Sequence, residues 1–207
     1  MQSPSSLHRK PLCPELPPID SVEIQVLIDN VTDSLSSTPA IDEREWTVLK
    51  KKGLAVIAGD GLCCANHGLS LTISTRRGDR ERCVLFDAGA TDYAVERNGT
   101  RLGMNFGQIE AVIVSHGHWD HAGGIPQALR FIRQMNGGKS VPLYLHPGMF
   151  QQRGTKQPDR TVLPMQRVPS PHEWTVLEAP TVADESVFSA NARSSLVVKS
   201  RVSLPTK

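Results

Sequence analysis

The chain is poor in aromatic residues and has almost no net charge, and the low charge argues against two classes of binding partner. Aromatic side chains make up 5% of the 207 residues, and the formal net charge is +2. A nearly neutral chain has no electrostatic reason to bind nucleic acid or a membrane surface. No apolar run approaches the ~20 residues of a membrane-spanning helix, and the N-terminus lacks the apolar segment of a secretory signal. We therefore expect a cytoplasmic protein without a nucleic-acid or membrane partner.

Cysteine is also scarce, which argues against a disulfide framework. The four cysteines are Cys13, Cys63, Cys64 and Cys83. Adjacent cysteines rarely bridge each other, and no C-x-x-C spacing occurs, so we expect reduced thiols as in cytosolic proteins. A structural zinc site that uses Cys63, Cys64 or Cys83 stays open as an alternative, because structural zinc sites favour cysteine.

The length of 207 residues allows one sizeable domain with tails. Residues 1–20 contain five prolines and several serines, which predicts a disordered arm. Residues 21–178 form the predicted domain. Residues 179–207 are predicted to be a divergent tail, because no motif occurs there.

Hydrophobic periodicity predicts an α/β fold, with strands first and a strand–helix–strand unit after them. Residues 30–52 are polar, which predicts a surface loop, and Thr91 is predicted to cap a short helix that runs to Asn98 and stops at Gly99. Apolar residues at helical spacing predict a second helix over 125–135. The predicted strands are 22–29, 68–74, 83–87, 111–114 and 141–146, with a hairpin between the second and third and weaker candidates at 187–188 and 196–198.

Four side chains that can bind a metal ion follow the predicted strand 111–114 within six residues. They are His116, His118, Asp120 and His121. Imidazole nitrogen and carboxylate oxygen are ligands that zinc accepts, and burying such a group without a partner would be costly. The neighbouring glycines at 117, 123 and 124 allow a tight loop and a close backbone approach. The cluster therefore predicts a site for one or two metal ions.

The run from His116 to His121 matches the H-x-H-x-D-H signature and resembles the metallo-β-lactamase superfamily. The resemblance implies a four-layer αββα sandwich with a dinuclear zinc site at one edge, between the sheets. It implies that His116 and His118 hold the first ion, and that Asp120 and His121 hold the second, with Asp120 also catalytic. Asp87, in the segment 86–89, would orient the ligands by hydrogen bonding. The alternative is that Asp87 only forms a turn.

A narrower resemblance extends over roughly residues 22–150. The segments 26–30, 66–73, 115–124 and 143–147 are similar to the branch that contains archaeal dihydropterin–ribofuranosylaminobenzene phosphate synthase. The branch implies a metal-dependent hydrolase or transferase with a small-molecule substrate that is phosphorylated or pterin-like. It does not fix the substrate, because a shared fold does not transfer function.

The chain departs from the family pattern after the first motif. The pattern requires a third histidine, a bridging aspartate and a final histidine, whereas the only later histidines are His146 and His172. A catalytic zinc usually has three protein ligands and one open position. We therefore expect only the first half of the sandwich, as in a truncated chain. A degenerate family member without activity is the competing hypothesis, and the sequence leaves the oligomeric state open.

Two further residues near the motif have two interpretations each. Trp119 lies between the ligands and either walls a pocket or packs as an ordinary aromatic side chain. His67 precedes the strand at 68–74 and either has a role shared by the branch or is a turn residue.

Overall fold

The structure is a computed structural model, and it describes residues 17–32, 37, 40 and 42–166. Its main element is a five-stranded sheet in the order β1-β2-β3-β4-β5, with a separate two-stranded sheet of β6 and β7. The strands are β1 (Ser21–Ile28), β2 (Ser70–Arg77), β3 (Arg80–Phe86), β4 (Ile109–Ile113), β5 (Leu143–Tyr144), β6 (Gly154–Lys156) and β7 (Val162–Pro164). The helices are α1 (Glu45–Lys51), α2 (Ala94–Arg101), α3 (Trp119–Ala122) and α4 (Ile125–Met135), with 3-10 turns at Phe106–Gln108 and Pro147–Phe150.

The sheet changes from antiparallel to parallel pairing halfway across. Strands β1, β2 and β3 pair antiparallel, with β2 and β3 forming the predicted hairpin. Strand β4 pairs parallel with β3, and β5 pairs parallel with β4. Parallel neighbours need a crossover, and the helices α2 and α4 provide it. The predicted α/β class is therefore confirmed.

One face of the sheet is buried under the helices, and the other is only partly covered. Thr72, Leu85, Val112 and Leu143 lie side by side across four strands and are 0–2% exposed. The adjacent row points to the opposite face, because side chains alternate along a strand. In that row Val26 is 50% exposed. The five-stranded sheet thus carries helices on one face, as predicted for the first half of the sandwich.

Helix α4 confirms the helix predicted over residues 125–135, and its packing gives the reason. Its buried residues Ile125, Ala128 and Ile132 recur at helical spacing and pack in the core against the sheet. Pro126 lies in its first turn, where no backbone N–H is needed, and Gly137 follows its end with a φ of 77°.

Two local predictions were wrong. Residues 30–52 are not all loop, because they contain helix α1, which buries one side chain, Leu49. Thr91 does not cap α2: the helix begins after Tyr93, and Gly99 lies inside it. The Phe106 ring packs against the helix at Gly99, where a Cβ atom would lie 2.2 Å from the ring. Position 99 therefore has no room for a side chain.

Several predictions fall outside the described residues. These are nearly all of the arm over 1–20, the tail over 179–207, the strands at 187–188 and 196–198, Cys13 and His172. The domain limits of 21–178 stay a prediction. In the part of the chain that the structure describes, no helix has both the length and the apolar character to cross a membrane.

Asn98 joins three segments through a buried hydrogen-bond group. Its side-chain nitrogen donates to the carbonyl oxygens of Leu27 (2.6 Å) and Cys64 (2.9 Å), and its side-chain oxygen accepts from the Cys64 backbone N–H (2.9 Å). Asn98 is 1% exposed and its bond to the Leu27 carbonyl is buried, whereas its two bonds to the Cys64 backbone are part-buried. The amide therefore fixes the 62–66 loop between β1 and α2.

We expect Asn98→Ala to lower the free energy of unfolding by about 2–4 kcal/mol, because it leaves buried backbone groups without partners. Thr100→Ala is the matched control, since Thr100 is exposed on the same helix. The control should change stability by no more than about 0.5 kcal/mol. Urea unfolding measures both, and equal stability of the two variants would contradict the assignment.

The raised pKa of the Cys63 thiol predicts that the folded state loses stability at alkaline pH. Burial, with a further contribution from the nearby Glu45 carboxylate, raises the pKa of Cys63 to about 12 from 9.0. Between these values the unfolded thiol ionises while the folded one stays protonated, so the unfolding free energy should fall as pH rises from about 9 towards 12. Urea titrations across this range should show a shallower fall in Cys63→Ala than in the wild type. An identical slope would contradict the prediction.

Candidate metal centre

The site begins where two parallel strands end side by side. Phe86 at the end of β3 pairs with Ile113 at the end of β4. Asp87 follows β3, and the histidine run follows β4, so both emerge at the same edge of the sheet. The backbone N–H of Asp87 donates to the carbonyl oxygen of Ile113 at 2.8 Å, which fixes the two strand ends together.

Asp87 is fully buried, and its carboxylate organises the loop after β4. One oxygen accepts from the Ser115 backbone N–H and the other from the Ser115 hydroxyl, each at 2.7 Å. The second oxygen also lies 2.8 Å from Nδ1 of His121. A carboxylate accepts and does not donate, so this contact places the ring hydrogen on Nδ1 and leaves the Nε2 lone pair of His121 free.

The three histidines of the run come together beside Asp87. The ring centroid of His116 lies 4.5 Å from that of His118 and 4.3 Å from that of His121. Asp120 Oδ2 lies 3.9 Å from Nε2 of His121. The pKa of His116 is lowered by burial first, and then by repulsion from His121 and His118. The cluster thus favours a neutral imidazole at His116, the form that ligates metals.

The donor chemistry fits zinc, but the donors do not form a finished site. Three imidazoles and a carboxylate lie at one sheet edge, and Asp87 sets the tautomer of one of them. Over the described stretch of chain, no three His, Cys, Asp or Glu side chains are arranged so that they already hold an ion. The motif residues are therefore gathered without being in ligating positions, and their assignment as ligands stays a prediction.

Other residues that the sequence offered as donors lie elsewhere. Nδ1 of His146 accepts from the Gly148 backbone N–H at 3.0 Å and so caps the following 3-10 turn. Cys63 and Cys64 belong to the loop that Asn98 fixes, and Cys83 is buried in β3. The described cysteines carry free thiols. The Cys64 thiol contacts the Asn98 side-chain oxygen, and all three cysteines lie in or against the hydrophobic core.

Close backbone packing holds helix α3, which carries the end of the motif, and the glycine turn that follows it. A Cβ atom on Gly124 would lie 2.2 Å from the carbonyl oxygen of Ala88, so only glycine fits there without a shift. The carbonyl oxygen of His121 accepts from the Ala88 backbone N–H at 2.9 Å. The segment after Asp87 and the helix α3 therefore pack directly against each other, as the paired glycines predicted.

Arg153 is a residue of the site region that the sequence analysis missed. Its guanidinium donates to the carbonyl oxygens of Gly117 (3.2 Å), Met149 (2.8 Å) and Gly148 (2.8 Å). Gly117 lies between His116 and His118, so Arg153 anchors the middle of the histidine loop. No local pattern around Arg153 indicated this contact, because its partner lies 36 residues earlier in the chain.

Part of the chain is similar in sequence to a curated protein. The chain is 28% identical over 95 residues to 7,8-dihydropterin-6-methyl-4-(beta-D-ribofuranosyl)-aminobenzene-5'-phosphate synthase of Methanocaldococcus jannaschii, which is 46% of this chain and 31% of the relative. The chain thus spans about a third of the length of that relative.

Similar solved structures carry the metallo-beta-lactamase name. One is a metallo-beta-lactamase of Cronobacter sakazakii with a HARLDQ motif, 29% identical over 37% of this chain and 28% of that one, with a TM-score of 0.27. Another is a putative metallo-beta-lactamase of Thermotoga maritima, 17% identical over 61% of this chain and 44% of that one, with a TM-score of 0.28.

The family model named metallo-beta-lactamase superfamily matches residues 76–180, half of the 207-residue chain. This range includes the parallel strands β3 and β4, Asp87 and the whole histidine run. The chain belongs to the metallo-beta-lactamase superfamily.

Proposed function

We propose that this chain provides the metal centre of a zinc-dependent hydrolase or transferase. The observation that carries the proposal is the contact between buried Asp87 and His121, within a group of three adjacent imidazoles at the end of two parallel strands. A histidine whose distal nitrogen is left free by a buried carboxylate has the usual arrangement of a metal ligand.

The proposed ligands are the four residues of the motif. His116 and His118 would bind a first zinc ion, and Asp120 and His121 a second. Bound zinc supplies Lewis acidity and lowers the pKa of a water molecule to roughly 7. Oδ2 of Asp120 lies 3.9 Å from Nε2 of His121. In this proposal the Asp120 carboxylate would also orient the attacking group and accept a proton from it.

The proposed substrate is a small molecule that is phosphorylated or pterin-like. The support is the similarity to the Methanocaldococcus jannaschii synthase, whose name contains a dihydropterin, a ribofuranosyl group and a phosphate. The two chains align over 31% of that relative, so its activity comes to this chain as part of the proposal.

A second candidate is a family member without catalytic activity. Its support is the absence, among the residues that the structure describes, of three donors already arranged around one point. A centre with only two firm ligands would bind zinc much more weakly than a catalytic site does. The two candidates differ in zinc affinity, which can be measured directly.

The test is zinc binding by the full chain, measured by calorimetry and by metal analysis after dialysis. We expect one or two zinc equivalents on the wild type and none on the variant H116A/H118A/D120A/H121A. His146→Ala is the matched control, because His146 lies outside the cluster, and it should keep the wild-type zinc content. A quadruple variant that binds zinc as the wild type does would overturn the proposal. A wild type that binds none would favour the inactive family member.

A further inference from the structure

Two rings that the proposed chemistry does not use stand beside the candidate centre. Trp119 lies between His118 and Asp120, and its ring meets that of His67 at 69° with centroids 5.7 Å apart. Trp119 is 37% exposed, and His67 is partly exposed as well. The two exposed rings meet edge to face, and we call this pair the ring notch.

The ring notch is held in place by the backbone beneath it. The Gly68 backbone N–H donates to the side-chain oxygen of Asn30 at 2.9 Å, and the Asn66 backbone N–H donates to the Asp29 carbonyl oxygen at 3.0 Å. Gly68 lies so close to Asp120 that a Cβ atom would meet the Asp120 carbonyl oxygen at 1.5 Å. The backbone on both sides of His67 is therefore fixed, and Gly68 packs against the same turn that carries the motif.

Exposed aromatic side chains are unusual in this chain, which has only 5% aromatic residues. Among the described residues, the large aromatic side chains exposed to solvent are Trp119 and Tyr93. The side-chain nitrogen of Asn66 donates to the Tyr93 hydroxyl at 3.4 Å, so Tyr93 borders the same loop. The other described aromatic rings are buried wholly or in part. The two exposed rings both border the Asn66–His67 segment, which therefore offers a surface for a flat apolar group.

We propose that the ring notch binds an aromatic ring of the substrate, stacked on the Trp119 indole with its edge towards His67. The inference rests on the proposed function, since it places this ring beside the atoms that react at the metal centre. The chemical class that the notch would take is a planar aromatic ring, and the phosphorylated part of the substrate comes only from the proposed function. Such rings stack on aromatic side chains largely without regard to the identity of the base.

The test compares two probes that share a sugar phosphate and differ by a ring. Adenosine 5'-monophosphate and ribose 5-phosphate are titrated into the zinc-treated full chain and followed by calorimetry. We expect the adenine ring to improve affinity by about tenfold. Trp119→Ala should abolish that preference, Trp119→Phe should keep part of it, and Trp46→Ala, on helix α1 outside the notch, should keep all of it.

Equal affinity of the wild type for the two probes, or a preference that survives in Trp119→Ala, would overturn the inference. Zinc content is measured separately on each variant, and urea unfolding checks that each is folded. A wild type that prefers the ring but binds no zinc would refute the proposed function while supporting the notch. A wild type that binds zinc but does not prefer the ring would support the proposed function and refute the notch.

Discussion

Replacing Asp87 with asparagine should leave the protein folded and lower its zinc affinity by about 10- to 100-fold. The two side chains have nearly the same size, and the asparagine oxygen can still accept from the Ser115 backbone N–H. The carboxylate oxygen that faces Nδ1 of His121, however, is replaced by a donor.

In Asp87→Asn the new side-chain amide would donate to Nδ1 of His121 and favour the tautomer with its hydrogen on Nε2. A nitrogen that carries a hydrogen has no lone pair for a metal ion, so the ring would have to change tautomer before it could bind. The loss would therefore appear in zinc affinity far more than in stability.

Zinc titration by calorimetry and urea unfolding together separate the two effects. Asp92→Asn is the matched control, because Asp92 is exposed shortly after the same strand end and should change neither quantity. Asp87→Ala should in addition destabilise the fold by about 1–3 kcal/mol, because the part-buried N–H and the hydroxyl of Ser115 both lose their acceptor. Wild-type zinc affinity in Asp87→Asn would show that this carboxylate does not set the tautomer.

The second large effect is expected at Gly68, where an added methyl group has no room. Gly68 has a φ of 92°, and its Cβ atom would lie 1.5 Å from the backbone oxygen of Asp120. The colliding atom is backbone, so a side-chain rotation cannot relieve the clash. We expect Gly68→Ala to lower the unfolding free energy by roughly 4 kcal/mol or more and to displace the turn that carries Asp120.

Gly78→Ala separates the backbone conformation from the clash. Gly78 also has a positive φ, of 58°, but a Cβ atom there has nothing within 4 Å. The control should therefore lose only about 1–2 kcal/mol, the cost of the left-handed conformation for an alanine. Urea unfolding of both variants gives the difference, and zinc titration reports on the turn. Equal losses in the two variants would mean that the contact with Asp120 is not close.

Much of the fold was predictable because local patterns agreed with the tertiary structure. The hairpin of β2 and β3 has a polar turn between alternating strands, and α4 has apolar residues on one face followed by glycine. Helix α1 was missed because its seven residues bury only Leu49, too little to produce a periodic signal. The start of α2 was misjudged because threonine is a common cap, whereas here Thr91 lies two residues before the capping position that Tyr93 occupies.

The sequence by itself identified the family and predicted the candidate donors, because the H-x-H-x-D-H run is a local signal that needs no knowledge of the fold. The resemblance implied that Asp87 orients the candidate ligands, but only the tertiary structure supplied the contacts: Asp87 meets His121 across 34 residues, and Arg153 meets Gly117 across 36. These contacts depend on β3 and β4 being parallel neighbours whose ends share one edge, and strand order is set by packing of the whole core. No pattern around any one of these residues contains that information.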